Sequence, residues 1–156
     1  MEDLTQIVNE RVPNFTEEQL VIYNTVIEAV RNEQPIQVFI DARGGCGKSY
    51  LSNTILAAVR SQGGNSVALA MATTGIAANL LDLGRTFHSR MKAPLTPDDK
   101  STLTIPAQSN LAKLIKMSKL LLLDEATMLD RWNLEALDRT LKDITGESNK
   151  AFGAKL

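Results

Sequence analysis

The chain has little of what disulfide scaffolds and metal clusters require. Its 156 residues include one cysteine, Cys46, and one histidine, His88. A lone cysteine excludes an internal disulfide and fits a reducing compartment. A single histidine without a cysteine cluster argues against a structural zinc site. Aromatic residues make up only 4% of the chain. No apolar run approaches the roughly 20 residues of a membrane-spanning helix. The start, Met1-Glu2-Asp3-Leu4, is acidic and lacks the features of a secretory signal or an Arg-rich transit peptide. The net charge is −1, which excludes a polycation as a whole.

Hydrophobic residues supply 44% of the chain and charged ones 22%, ordinary values for a globular domain of this length. One stretch organises the rest. Val38-Phe39-Ile40 is rich in β-formers, Asp41-Ala42-Arg43-Gly44-Gly45-Cys46-Gly47 is a glycine-rich loop, and Lys48-Ser49 opens a helical pattern. Strand, loop and helix in that order are what a phosphate-binding P-loop needs. Gly44, Gly45 and Gly47 let backbone N–H groups approach an anion closely. The helix that follows aims the positive end of its dipole at the same place. Lys48 adds a mobile charge, and the Ser49 hydroxyl suits Mg²⁺. Ala42 stands where the motif usually begins with glycine, which costs about 1 kcal/mol if the backbone there needs a positive φ. Cys46 reads as a small residue filling a variable loop position.

The flanking chain supplies the other elements. A short helix is expected around Leu4 to Asn9. Thr16 and Gln19 form a capping-box pattern ahead of a helix that reaches Asn32, with Leu20, Tyr23, Val26, Ile27 and Val30 inward. Gln19 has two readings, cap partner or reader of an adenine edge. A first strand is expected over 36–40, the P-loop helix over 47–62, and a strand buried on both faces over 66–72. Such a strand–helix–strand unit implies a right-handed parallel crossover. Gly63-Gly64-Asn65 turns the chain between the last two. Residues 92–108, with Pro94, Pro97 and Pro106, read as a long surface loop. A short helix over 109–117 precedes Leu120-Leu121-Leu122-Leu123, an apolar strand ending in Asp124-Glu125.

That acidic pair is the second half of a nucleotide site. Asp124 suits a metal that bridges phosphates. Glu125 suits general-base activation of water. Asp130 then caps a helix over 131–144 that Gly146 ends, and 151–156 reads as the approach to another strand. Two segments remain. Thr73-Thr74-Gly75-Ile76-Ala77-Ala78 falls at the carboxyl end of a parallel strand, where ligands bind. Gly84-Arg85-Thr86-Phe87-His88-Ser89 gathers hydroxyls, a cation, an imidazole and an aromatic, which suit single-stranded nucleic acid. Thr74 as a plain helix cap and His88 as a half-buried structural histidine are the competing readings. Seven basic residues between Arg85 and Lys119 face only Asp98 and Asp99, a local excess that suits a polyanion.

Taken in order, Phe15-Thr16-x-x-Gln19, Asp41-x-x-Gly44-Gly45-Cys46-Gly47-Lys48-Ser49, Thr74-Gly75-Ile76-Ala77-Ala78-Asn79-Leu80-Leu81, Thr86-x-His88-Ser89 and Asp124-Glu125-Ala126-x-Met128 resemble the Pif-type helicases of superfamily 1, with their Helitron-transposon branch as the best match. The resemblance implies an α/β fold: a three-layer parallel sheet with helices on both faces, a RecA-like P-loop NTPase. It implies an N-terminal extension over 1–14 and a first motor domain over 15–156, incomplete at its C-terminus and without the second motor domain. The implied activity is ATP-dependent 5′→3′ DNA unwinding in repair, recombination and telomere maintenance, by a monomer bound to single-stranded DNA and to no membrane. Carried over residue by residue, Gln19 reads adenine, and residues 44–49 hold phosphate. Ser49 and Asp124 hold Mg²⁺, Lys48 and Glu125 are catalytic, and Thr74, Thr86, His88 and Ser89 touch DNA. A nuclear location is expected, with the mitochondrion as the alternative. The expectation for the chain alone is weak ATP–Mg²⁺ binding, very slow hydrolysis and no unwinding. A P-loop ATPase or kinase without a nucleic-acid role, and an inactive transposon relic, are the competing functions.

Overall fold

The structure is a computed structural model and describes residues 3–64 and 66–155. Asn65, expected in the turn after the P-loop helix, lies outside the described residues, as do the termini Met1, Glu2 and Leu156. The described elements are α1 (Leu4–Arg11), α2 (Glu17–Arg31), α3 (Lys48–Arg60), β1 (Val67–Ala72), α4 (Gly75–Asn79), β2 (Arg85–Thr86), α5 (Phe87–Met91), α6 (Asn110–Met117), β3 (Ser118–Asp124) and α7 (Arg131–Thr145). Short 3-10 turns cover Val12–Asn14, Ala126–Met128 and Ala151–Ala154.

A parallel sheet of order β2-β1-β3 forms the middle layer. Alternation along its strands sorts the core into two halves. Ala68, Ala70 and Ala72 of β1, with Leu120 of β3, face Val26, Ile27 and Val30 of α2 and Leu51, Ile55 and Val59 of α3. Leu69 and Met71 face the other way, onto Phe87, Met91, Ile115, Leu137 and Leu141 from α5, α6 and α7. Alanines on one face let α3 approach the sheet closely, and larger side chains fill the other. The three-layer α/β arrangement is therefore present.

Local signals explain most boundaries. Thr16 and Gln19 form both bonds of the capping box. Asp130 caps α7 by accepting from the Trp132 N–H at 2.7 Å, and Gly146 closes it in the left-handed region. The Glu135–Arg139 and Asp138–Lys142 pairs lie on the outer face of α7 at 3.8 and 2.7 Å. Val8 of α1 packs against the first core cluster.

One expected strand does not form. Among the described residues, 36–40 pair with no strand, so no parallel crossover joins them to β1. Val38 is 43% and Phe39 70% exposed. β-propensity describes a surface that fits a sheet, but only pairing with another strand makes one. Here the segment runs beside the outer edge of β3, and a cavity separates the two. Residues 151–155, read as the approach to another strand, are not extended throughout. Their 3-10 turn folds back on α7, where the Phe152 N–H donates to Asp138 Oδ1 at 2.6 Å. Gly153 makes this possible: a Cβ there would stand 2.5 Å from the Leu141 carbonyl oxygen. The 92–108 loop is as expected, except that it is anchored by buried Leu103, whose N–H donates to Thr140 Oγ1 at 3.2 Å.

Candidate nucleotide site and strand-facing edge

The glycine loop carries the geometry its residues suggest. Gly45 and Gly47 have φ of 81° and 77°, values costly for any residue with a Cβ. Gly47 is the N-cap of α3, and no side chain caps that helix. Its first N–H groups, from Lys48 onward, therefore have no intrahelical acceptor and open towards the loop. Ala42 has no positive φ, so alanine carries no conformational cost there. Its carbonyl accepts a bond from Lys48 Nζ, as does that of Arg43, at 2.5 and 2.9 Å. The ammonium thus rests on the carbonyls of its own loop.

Gln19 does two jobs. Its Oε1 accepts from the Thr16 N–H at 3.1 Å, the cap role, and its Nε2 donates to the Cys46 carbonyl at 3.2 Å. The second bond ties α2 to the loop. A Cβ on Gly47 would stand 2.8 Å from Gln19 Nε2 and would push that side-chain end aside. Cys46 is exposed at the loop tip.

The acidic pair lies on the same cavity. Lys48, Asp124 and Glu125 share one recess of about 510 Å³ with Asp41, Ala42 and Ser52 at its polar end. The rest is apolar, between residues 36–40, β3 and Leu137 and Leu141 of α7. Ser49, one residue beyond Lys48, does not line it. The donor types that a nucleotide with its cation needs are present: Lys48 and the two acids on the recess wall, with the N–H groups of residues 44–47 and the Ser49 hydroxyl adjoining Lys48 in sequence but outside the lining. Among the described residues no group of three or more His, Cys, Asp or Glu side chains is placed to cage a metal. A Mg²⁺ held by Ser49 and Asp124 would therefore complete its shell with phosphate and water.

Glu125 is held unusually firmly. It has φ 54° and ψ 37°, a conformation that is rare for a residue with a long side chain. Its N–H donates to Asp124 Oδ1 at 2.9 Å. Two successive threonines at the end of β1 grip it from across the sheet. Thr73 Oγ1 donates to the Glu125 carbonyl, and Thr74 Oγ1 donates to Glu125 Oε2, both at 2.8 Å. Thr74 also accepts from the Ala77 N–H at 3.2 Å and so caps α4. The cap reading of Thr74 holds, and its hydroxyl faces inward.

The other DNA-facing candidates lie at the end of β2 and on α5. Thr86 Oγ1 accepts from the Ser89 N–H at 3.3 Å and caps that helix, leaving Ser89 exposed. His88 is half-buried, edge-on to Phe87, with Nε2 3.3 Å from Nδ2 of the buried Asn133. Beside them stand three guanidinium groups. Arg60 donates to the carbonyls of Ala68 and Asp82, and Arg90 donates to that of Leu83. Partial burial lowers the pKa of both arginines, and for Arg90 the neighbouring Arg85 and Arg60 lower it further. This local positive charge suits a phosphate backbone. Sequence reasoning missed Arg60, and it missed that Thr73 braces Glu125. Both act across long sequence separations that no local pattern encodes.

A loop of this geometry, α3 behind it and an acidic pair at the carboxyl edge of a parallel sheet together define a P-loop nucleotide-binding protein. Comparison with known proteins narrows the class. The family model described as PIF1-like helicase matches residues 14–156, and the chain belongs to that family. Bacteroides Pif1 helicase in complex with ADP-AlF3 and ssDNA is similar, at 26% identity and a TM-score of 0.72 over 90% of this chain and 30% of that one. Bacteroides Pif1 bound to ssDNA is 28% identical, with a TM-score of 0.71 over 90% and 30% of the two chains. A Pif1 structure concerned with unwinding of forked dsDNA gives 26% identity and a TM-score of 0.69 over 90% and 32%. The chain thus spans about a third of the length of these solved chains. A search of curated proteins found no match.

Proposed function

We propose that this chain is the nucleotide-binding part of an ATP-dependent DNA helicase motor. The observation that carries the reading is the meeting of Lys48, Asp124 and Glu125 on one recess at the carboxyl edge of the sheet. Family membership and the nucleotide and ssDNA complexes of the similar Pif1 structures support it.

In this reading Lys48 leaves its two loop carbonyls to meet the outer phosphates, with the N–H groups of residues 44–49 beside it. Bound Mg²⁺ would neutralise phosphate charge, with Ser49 and Asp124 as its protein ligands. Glu125 orients the attacking water and takes its proton. Gln19 offers its remaining amide hydrogen-bonding capacity to adenine. Thr86, His88 and Ser89, flanked by Arg60, Arg85 and Arg90, form the face for a single DNA strand. Thr74 belongs to the same edge but acts from inside it. Residues 15–156 are read as the first RecA-like unit of a motor whose second unit supplies the transition-state arginine. The 5′→3′ polarity, a role in repair, recombination or telomere maintenance, a nuclear location and a monomeric state belong to the same proposal.

The test is direct. Fluorescent ADP with Mg²⁺, and separately a labelled oligothymidylate, are titrated into the chain and into Lys48→Ala. The expected result is binding of both by the wild type and, in the variant, nucleotide binding weakened roughly ten- to a hundredfold with oligonucleotide binding unchanged. Nucleotide affinity that is unchanged in Lys48→Ala would overturn the site. Nucleotide binding without any oligonucleotide binding would favour the plain P-loop ATPase, a reading in which the arginine cluster has no role.

A further inference from the structure

α4 is fastened at both ends to the two halves of the nucleotide site. At its start, Thr74 caps it and gives its only hydroxyl proton to Glu125 Oε2 at 2.8 Å. At its end, Asn53 of the P-loop helix donates from Nδ2 to the Leu80 carbonyl at 2.8 Å and accepts the Asp82 N–H at 2.9 Å. Between these ties α4 is five residues long, buried through Ala77 and Ala78. On its outer side Ile76 is 81% exposed, followed by Leu80 and Leu83 at 57% and 78%. The arginine cluster begins directly after it, since Arg60 donates to the Asp82 carbonyl at 3.0 Å and Arg90 to that of Leu83 at 2.7 Å.

We infer that Thr74 is a positioning residue through which a strand bound over α4 sets the orientation of the Glu125 carboxylate. The inference rests on the proposed function and adds the path by which strand and nucleotide communicate. The physical basis is the single proton of the Thr74 hydroxyl. While it goes to Oε2, one carboxylate oxygen is fixed, and the acid cannot rotate freely about its last torsion. Glu125 is already in the left-handed region, with its carbonyl fixed by Thr73. The remaining freedom is that of the side chain, and Thr74 governs it. Thr74 Oγ1 is also the cap of α4, so a shift of this helix moves the donor and the carboxylate together. A strand that presses on Ile76 and Leu80, with its phosphates on the arginines, acts on that helix. The tie through Asn53 carries the same displacement to α3.

The experiment compares wild type, Thr74→Val and Thr74→Ser. Single-turnover cleavage of ATP is measured with and without oligothymidylate, and the dissociation constants of fluorescent ADP and of the oligonucleotide are measured in parallel. The expected result is a strand-dependent change in the wild-type rate that falls at least tenfold in Thr74→Val and survives within threefold in Thr74→Ser. Nucleotide affinity is expected to move far less than the rate. A purely structural cap would depress rate and affinity together. Thr74→Ala likewise has no proton for Glu125, and it replaces the valine variant if that variant does not fold. A strand effect retained in Thr74→Val or Thr74→Ala overturns the inference, as does one lost equally in Thr74→Ser. Wild type that binds both ligands but shows no strand effect overturns the coupling alone. Wild type that binds neither overturns the proposed function and the coupling with it.

Discussion

The two halves of the nucleotide site differ in how they are held. The carboxylate half is braced across the sheet: Thr73 and Thr74 reach Glu125 over more than fifty residues of chain, and the Thr73 N–H extends the β1–β3 ladder to the Asp124 carbonyl at 3.3 Å. The phosphate half is held mostly by itself. Lys48 bonds to carbonyls five and six residues away, the approach segment 36–40 has no ladder, and Phe39 is largely exposed. The contrast teaches that the geometry of the acidic pair is fixed by the β1–β3 pairing, whereas the loop is fixed mainly by contacts within itself. In the proposed function, Lys48 would exchange its two carbonyl acceptors for phosphate. An affinity measured on this site is the net of that exchange.

Four substitutions break or sharpen the comparison, in order of decreasing effect. Glu125→Gln strikes the braced half. It keeps the fold and nucleotide binding, while single-turnover ATP cleavage falls by roughly 10² to 10⁴, the usual range for a lost general base. Equal loss of binding and cleavage would show that Glu125 holds the ligand rather than activating water. Lys48→Ala strikes the self-held half. Losing a charge-assisted phosphate contact of about 1.5–3 kcal/mol weakens fluorescent ADP binding by roughly ten- to a hundredfold. Thermal stability barely changes, because the lysine's partners are loop carbonyls near solvent.

Gly47→Ala joins the halves at the start of α3. The positive φ costs about 1 kcal/mol, and the new Cβ displaces Gln19 Nε2, which stands 2.8 Å from its position. Chemical denaturation should show a loss of about 1–2 kcal/mol, with nucleotide affinity falling as well. An unchanged denaturation midpoint would mean that the loop relaxes freely. Thr16→Ala has the smallest effect. It removes the hydroxyl that accepts the Gln19 N–H at 3.2 Å, a cap worth about 1 kcal/mol. Because Gln19 also bonds the Cys46 carbonyl, a small drop in nucleotide affinity accompanies it. Loss of stability with no change in affinity would separate the cap from the loop contact.

Much of the braced half is legible in the residues, but not the bracing. Strand 120–123 ending in Asp124-Glu125 is an apolar run with an acidic stop, and β3 extends it only to Ser118–Asp124. Thr74 as a cap follows from its place before a short helical pattern. Its bond to Glu125 does not, because nothing in either segment refers to the other. The same holds for Arg60. In its own helix it is an ordinary C-terminal arginine, and only the packing of α3 against β1 brings it to Arg90. The approach strand shows the reverse: residues 36–40 carry a strong local β pattern, and the structure gives them no partner.

What the sequence alone determined is the set of things encoded within a few residues. The capped helices, the left-handed glycines of the loop, the alternation that divides the core and the identity of the phosphate and acid motifs all depend on local sterics and hydrogen bonding. What only the tertiary structure decided is which of these meet. Lys48 and Glu125 share a recess because β1 and β3 are paired in parallel with α3 packed against one face. Thr74 finds Glu125 for the same reason. Pairing and packing join residues distant along the chain through long-range contacts, and a local pattern carries no information about such partners.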